Sequence, residues 1–282
     1  MNENFNHPHN DPKIDEVLGA LVEGASSILA DNFIGAWLQG SSATGGFDEH
    51  SDLDFVIGIK RDLSEGELKD LQEFHPRLYD HPSPWSQHLE GSYIPRKTLA
   101  NYRLSGQDVW YLDHGMKYLE RSSHDNTIAI KWILREKGVV LSGPHPTEII
   151  DLIPVSELRL DMYNTFAEWG NTIIENPKEI ESHFYQTFAV LSYSSMLYDL
   201  KQGDIRSKKA GAEWIKSQWD PKWHDLIDRA WLGRHNPFQS SKRPADPDDL
   251  RRTVRFVKAI LLEAKRTMES YGLAPEVDLK AA

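Results

Sequence analysis

Apolar positions divide the chain into two differently patterned parts. Val17, Leu18, Leu21 and Ile28 recur at helical spacing and predict a helix from Asp15 to about Leu29. Phe33 to Gln39 is a short apolar run that stops at Gly40 and reads as a strand. Leu53, Phe55, Ile57 and Ile59 alternate, so residues 52–59 read as a strand with Asp52 and Asp54 together on its other face. Ser64-Glu65-Gly66-Glu67 has the capping-box pattern, which opens a helix running toward Arg77. A third strand is expected near 88–94, irregular or partly helical chain over 95–123, and a helix from about Asn126 to Glu136. Past Gly143-Pro144-His145-Pro146 the pattern turns wholly helical. Three stripes fall at three- and four-residue steps: Leu158, Met162, Phe166, Trp169 and Ile173; Phe184, Phe188, Leu191 and Tyr198, with a gap at Ser195; and Leu250, Val254, Val257 and Leu261. They read as the core of a bundle rather than a ligand box. The expected class is α+β: a short polar, disordered lead over 1–12, a mixed α/β domain over 13–155 and a helical domain over 156–282.

The join between the first two strands carries the chemistry. Gly40-Ser41 ends the first, ten residues follow, and Asp52-Leu53-Asp54-Phe55 opens the second. Glycine lets backbone approach a ligand, and N–H groups at a helix start attract anions. Two carboxylates two residues apart on one strand face offer hard oxygen ligands to Mg²⁺, which completes its shell with water and phosphates. Each half has an ordinary alternative, a plain turn for Gly-Ser and turn chemistry for Asp-x-Asp; the joint spacing with strands on both sides is what points to a site. A Walker-type loop is excluded, because Gly46-Phe47 stands where Lys-Ser/Thr is required.

Gly-Ser, about ten residues, then Asp-x-Asp resembles the signature of the DNA polymerase β-like nucleotidyltransferases. The longer stretch Leu38 to Asp54 resembles the aminoglycoside nucleotidyltransferases that adenylylate streptomycin and spectinomycin. Leu141-Ser142-Gly143-Pro144 with Ile153-Pro154-Val155 looks like that family's domain junction, and Gly203 to Lys209 with Trp214 looks like a marker of its helical domain. The resemblance implies a polymerase β-like N-terminal domain, a mixed sheet flanked by helices, followed by an α-helical bundle. It implies ATP as co-substrate, Mg²⁺ on Asp52 and Asp54, and Gly40, Ser41 and Ser51 around the triphosphate. It assigns Glu90, on the strand after the paired aspartates, as general base for an acceptor hydroxyl; spacing alone would read Glu90 as a solvated surface residue. Lys208 matches a phosphate-binding lysine. Ser207 reads as an N-cap, so Lys208 and Lys209 sit in a first helical turn, where positive charge costs about 0.3–1 kcal/mol each unless an anion reverses it; the alternative to a phosphate contact is a pair of solvated surface lysines. Trp231 stands where the family contacts adenine, and reads equally as a core residue.

Several positions depart from the family. The stretch Leu191-Ser192-Tyr193-Ser194-Ser195-Met196 lacks the arginine that the family carries there, and Arg206 is the candidate replacement for the missing phosphate contact. Asn176 and Tyr185 replace an aromatic and an acid that hold streptomycin, while Glu181 keeps one acid and Trp110 corresponds to a drug-contacting tryptophan. The acceptor and the hydroxyl modified are therefore left open. Two other readings stay beside the antibiotic one: a protein-modifying, antitoxin-like adenylyltransferase, and a nucleotide-binding protein without turnover.

Charge and composition narrow the partners. The chain has 282 residues, a net charge of −11 and no cysteine, so disulfide and thiolate chemistry are excluded. Its acidity disfavours a nucleic-acid template and suits a small cationic substrate. No apolar run is long enough for a membrane span. A cytoplasmic monomer is expected. The twelve histidines, among them His7/His9, His81/His88 and His114/His124, lack the i,i+4 spacing of a zinc helix and read for the most part as surface residues, and Asp125 reads as a helix cap.

Overall fold

Residues 11–234 and 243–280 are described by the structure, a computed structural model. Two compact units divide the chain, Met1–Ile153 and Pro154–Ala282. Of the expected disordered lead only Asp11 and Pro12 are described, and they open a helix. Helix α1 (Pro12–Leu29) starts three residues before the pattern predicted, because Asp11 accepts a hydrogen bond from Lys13 N and Pro12 fills the first helical position.

The first unit is built on a six-stranded mixed sheet in the order β5-β4-β3-β2-β1-β6. Its strands are β1 (Phe33–Leu38), β2 (Leu53–Ile59), β3 (Leu89–Pro95), β4 (Val109–Leu112), β5 (Glu120–Ser122) and β6 (Val139–Ser142). Only β2 and β3 run parallel, joined through α3 (Glu65–Tyr79), whose start has the predicted capping box on Ser64 and Glu67. Residues 95–123, expected to be irregular or partly helical, contain β4 and β5 besides the short helix α4 (Arg96–Ala100). At four and three residues these strands are too short to show alternation, and their pairing partners are distant in sequence.

The core lies on one face of the sheet. Leu53, Phe55, Ile57 and Ile59 of β2 pack there with Leu89 and Tyr93 of β3 under Ile14, Val17, Leu18 and Leu21 of α1 and Leu71 and Leu78 of α3. The alternation of β2 is therefore as expected, and it leaves Asp54 on the opposite face. On that face Trp37 lies over Gly35 and Gly58, and its indole N–H donates to Pro144 O at 2.9 Å. Helix α5 (Ile128–Lys137) is capped by Thr127.

The second unit is the expected helical one: α6 (Val155–Glu175), α7 (His183–Gln202), α8 (Lys208–Gln218), α9 (His224–Gly233) and α10 (Pro247–Ser270). Helix α7 corrects the stripe reading. Its buried residues run almost unbroken from Ala189 to Leu197, whereas Phe184 and Tyr198 are half-buried and Phe188 is 37% exposed. Helices α6, α8, α9 and α10 all pack on α7, and a helix covered on several sides has no single apolar stripe. The gap at Ser195 marks where α8 comes closest. A Cβ on Gly211 would stand 2.4 Å from Ser195 Cα, so only small residues fit at that crossing.

Candidate active site

Strand direction gathers the motif at one end of the sheet. β1 runs antiparallel to β2, so Gly40, just beyond the end of β1, meets the start of β2. β3 runs parallel to β2, so its first residues lie at that same end. Asp54 and Glu90 are direct partners in the β2–β3 register and therefore share a face.

Gly40 is bound to this arrangement by two requirements. Its φ is +58°, and a Cβ built there would stand 2.0 Å from Asp54 Oδ2. The turn lies against the Asp54 carboxylate, and Gln39 N donates to Asp54 O at 2.9 Å. Ser41 is the second residue of the five-residue helix α2 (Gly40–Thr44); its Oγ is shut off from solvent and has no hydrogen-bond partner among the described residues. Ser51 is differently placed. Its Oγ accepts from Asp48 N at 3.0 Å and so holds the intervening loop.

Asp52 lies between two imidazoles. His114 Nδ1 is 2.5 Å from Asp52 Oδ1, and His88 Nδ1 is 3.9 Å from the same oxygen. The two rings meet edge to face with centroids 5.4 Å apart. Burial alone would raise the Asp52 pKa, but the His114 hydrogen bond and adjacent His88 outweigh it and bring it below the usual carboxylate value. Burial likewise opposes charge on His114, yet Asp52, aided by Glu90 and Asp113, holds its pKa above the ordinary one. These histidines, read as surface residues, are therefore part of the site: the His114 side chain is 8% exposed and that of His88 23%. His124, at 65%, is at the surface as expected.

Glu90 has the opposite environment. Tyr111 Oη donates to Glu90 Oε1 at 2.6 Å and lies 3.1 Å from Asp113 Oδ1. Burial, joined by the charges of Asp125 and Asp52, pushes Glu90 well above the carboxylate range despite the Tyr111 hydrogen bond. Asp125 is 2% exposed and accepts from Ser92 Oγ at 3.0 Å, and burial raises it too. Its expected role as a helix cap is corrected: Thr127 caps α5, and Asp125 belongs to the Glu90 cluster. Sequence reasoning missed Tyr111, Asp125, His88 and His114 alike. They come from separate strands and loops, so no local spacing joins them, although a Tyr next to an Asp-His pair at 113–114 would have been a cue had β4 been seen.

The other expected contacts are not all gathered. Trp110 pairs with Tyr93 across β3–β4 and so lies on the core face, with Arg121 5.2 Å from its ring centroid; its neighbour Tyr111 is the residue that reaches Glu90. In the helical unit, Ser207 caps α8 as expected, and Lys208 Nζ stands 4.2 Å from the centre of the Phe188 ring. The guanidinium of Arg234 lies 3.7 Å from the centre of the Trp231 ring. Glu181 is exposed between α6 and α7, its carbonyl accepting from Ala245 N at 2.8 Å. Arg206, the candidate replacement cation, pairs with Asp204.

The donor chemistry of Asp52 and Asp54 is of the kind that Mg²⁺ takes. The pair presents two hard-oxygen ligands at a strand start, beside a turn whose missing Cβ leaves room at the Asp54 carboxylate.

Known proteins resemble this chain along most of its length. A family model described as aminoglycoside adenylyltransferase, C-terminal domain, matches residues 148–260. The aminoglycoside (3'')(9) adenylyltransferase of Klebsiella pneumoniae is 23% identical over 260 residues, covering 87% of this chain and 94% of that protein. The spectinomycin 9-adenylyltransferase of Campylobacter jejuni is 21% identical over 218 residues, covering 74% of this chain and 81% of its own. A crystal structure of spectinomycin adenyltransferase AAD(9) from Enterococcus faecialis, with ATP and spectinomycin, superposes with a TM-score of 0.64 at 16% identity, covering 88% of this chain and 98% of that one. The resemblance read in the Gly-Ser and Asp-x-Asp motif thus extends over most of the chain, which is similar to the aminoglycoside and spectinomycin adenylyltransferases and has the fold of AAD(9).

Proposed function

We propose that this protein is a Mg²⁺-dependent adenylyltransferase that moves AMP from ATP to a hydroxyl of an aminoglycoside- or spectinomycin-type antibiotic. The observation that carries the reading is the juxtaposition of Gly40, Asp54 and Glu90, a turn pressed on one carboxylate whose register partner is a second. The names of the relatives, and the ATP and spectinomycin in the AAD(9) structure, support the nucleotide and the acceptor class.

The acceptor oxygen attacks the α-phosphorus of ATP, the bond from that phosphorus to the bridging oxygen breaks, and pyrophosphate leaves. The hydroxyl proton passes to the Glu90 carboxylate, whose raised pKa makes it a better base than an ordinary glutamate once ionised. Tyr111 fixes the Glu90 side chain through its 2.6 Å hydrogen bond. Asp52 and Asp54 would hold Mg²⁺, which when bound supplies charge neutralisation on the phosphates. Ser41, whose buried Oγ lacks a hydrogen-bond partner among the described residues, is proposed as a phosphate contact. Lys208 and Trp231 are proposed as phosphate and adenine contacts. The carboxylates around Tyr111 and a net charge of −11 favour an acceptor bearing amino groups.

The test is mass spectrometry of a panel of aminoglycosides and spectinomycin after incubation with MgATP and the purified protein. An AMP adduct on at least one drug, absent with Asp54→Asn, is the expected result. Unmodified drugs throughout, with MgATP bound, would overturn the antibiotic acceptor.

A further inference from the structure

Nucleotidyl transfer gives the two imidazoles beside Asp52 no task. Asp52 immediately precedes β2, His88 ends the turn Pro84–His88 ahead of β3, and His114 follows β4, so three segments fixed by the sheet converge there. One ligand atom from each lies within 4.8 Å of the others. His88 Nδ1 is out of contact with solvent, and at 3.9 Å from Asp52 Oδ1 it is beyond hydrogen-bond range, with no other partner among the described residues. Asp52, 30% exposed at its side chain, leaves the cluster reachable from outside.

We propose that Asp52, His88 and His114 form a nitrogen-rich site for a borderline divalent cation, Zn²⁺ above all, and that this cation and Mg²⁺ exclude one another at the Asp52 carboxylate. Zn²⁺ is bound by imidazole nitrogen and carboxylate oxygen, and three protein ligands with one open position make an accessible site. Mg²⁺ demands oxygen ligands, so the two imidazoles add nothing for it. A cation here also gives the His88 nitrogen the partner it lacks. The neighbouring group of Glu90, His124 and Asp125 is the poorer candidate. It offers one imidazole, largely exposed and 3.6 Å from Glu90 Oε1, and its buried Asp125 is already engaged by Ser92.

The test is calorimetric titration of the metal-free full chain with ZnCl₂, without nucleotide, alongside the visible absorption of its Co²⁺ complex. One Zn²⁺ per chain is expected, and the Co²⁺ bands of a low-coordinate nitrogen-bound ion. Losing an outer partner of a metal ligand already costs about 10–100-fold in affinity, so His88→Ala should weaken Zn²⁺ binding at least about tenfold, whereas His124→Ala leaves it unchanged. His88→Gln, which keeps more of the side-chain volume, should behave like His88→Ala, and circular dichroism of both variants establishes that they are folded. Zn²⁺ affinity unchanged in both His88 variants, or lost in His124→Ala instead, would overturn the proposal. A consequence for activity rests on the transfer reading: Zn²⁺ should inhibit Mg²⁺-supported turnover, less so in His88→Ala. Should no turnover be found, the titration still decides the site.

Discussion

Asp52 and Glu90 stand at the starts of adjacent parallel strands, yet the chain holds their carboxylates in opposite ways. Asp52 faces imidazoles, which keep it ionised below the usual range against the effect of burial. Glu90 faces a phenol and other carboxylates, and burial drives it up. Pairs of titratable groups whose environments separate their pKa values mark different jobs in one site. An ionised Asp52 suits a cation at neutral pH. A Glu90 that binds its proton more readily suits accepting one from a hydroxyl.

Exchanging carboxylate for amide separates the two roles. Asp54→Asn, which removes a proposed cation ligand, should lower kcat/KM by about 10³-fold or more, about 4 kcal/mol of transition-state stabilisation. Steady-state pyrophosphate release reads this, and activity within tenfold of the parent would remove Asp54 from the metal role. Glu90→Gln should cost about 10²–10⁴-fold in kcat while nucleotide binding persists, the amount expected of a general base. A large change in ATP affinity instead would move Glu90 to the cation side.

Gly40→Ala perturbs the Asp54 carboxylate without touching its charge. Left-handed backbone costs a residue with a Cβ about 1–2 kcal/mol, visible as a lowered Tm, and the displaced carboxylate should reduce turnover more than the stability change implies. Tyr111→Phe is gentler still. It removes the hydrogen bond that holds Glu90 down, so the Glu90 pKa rises further. The base works ionised, so kcat/KM falls as pH drops through that pKa, above the ordinary carboxylate value of 4.5, and the falling limb should move to higher pH in the variant. An unmoved limb would assign it to another group. Trp110→Phe should have the smallest effect: on the core face, it should leave acceptor KM unchanged.

The motif was legible because Gly40 and Asp54 are close in sequence and bracketed by two strands that show their periods. The sheet-and-bundle class followed from the change of pattern after Pro146. What stayed hidden required long-range pairing. Val109 to Leu112 is too short to announce a strand, and without β4 nothing brings Tyr111 to Glu90 or His114 to Asp52. His88 and His114 are 26 positions apart in sequence but have ring centroids 5.4 Å apart, so a spacing rule made for one helix does not find them. The α7 stripe failed for the converse reason: its local periodicity was real, but neighbours cover the helix on several sides.

Acceptor-dependent pyrophosphate release from MgATP, measured with spectinomycin and with streptomycin for the parent protein, Asp54→Asn and Glu90→Gln, tests the central claim most directly. Release is expected to require one of the drugs and Mg²⁺ and to be lost in both variants. Release that needs no acceptor, or that survives in both variants, would contradict the claim.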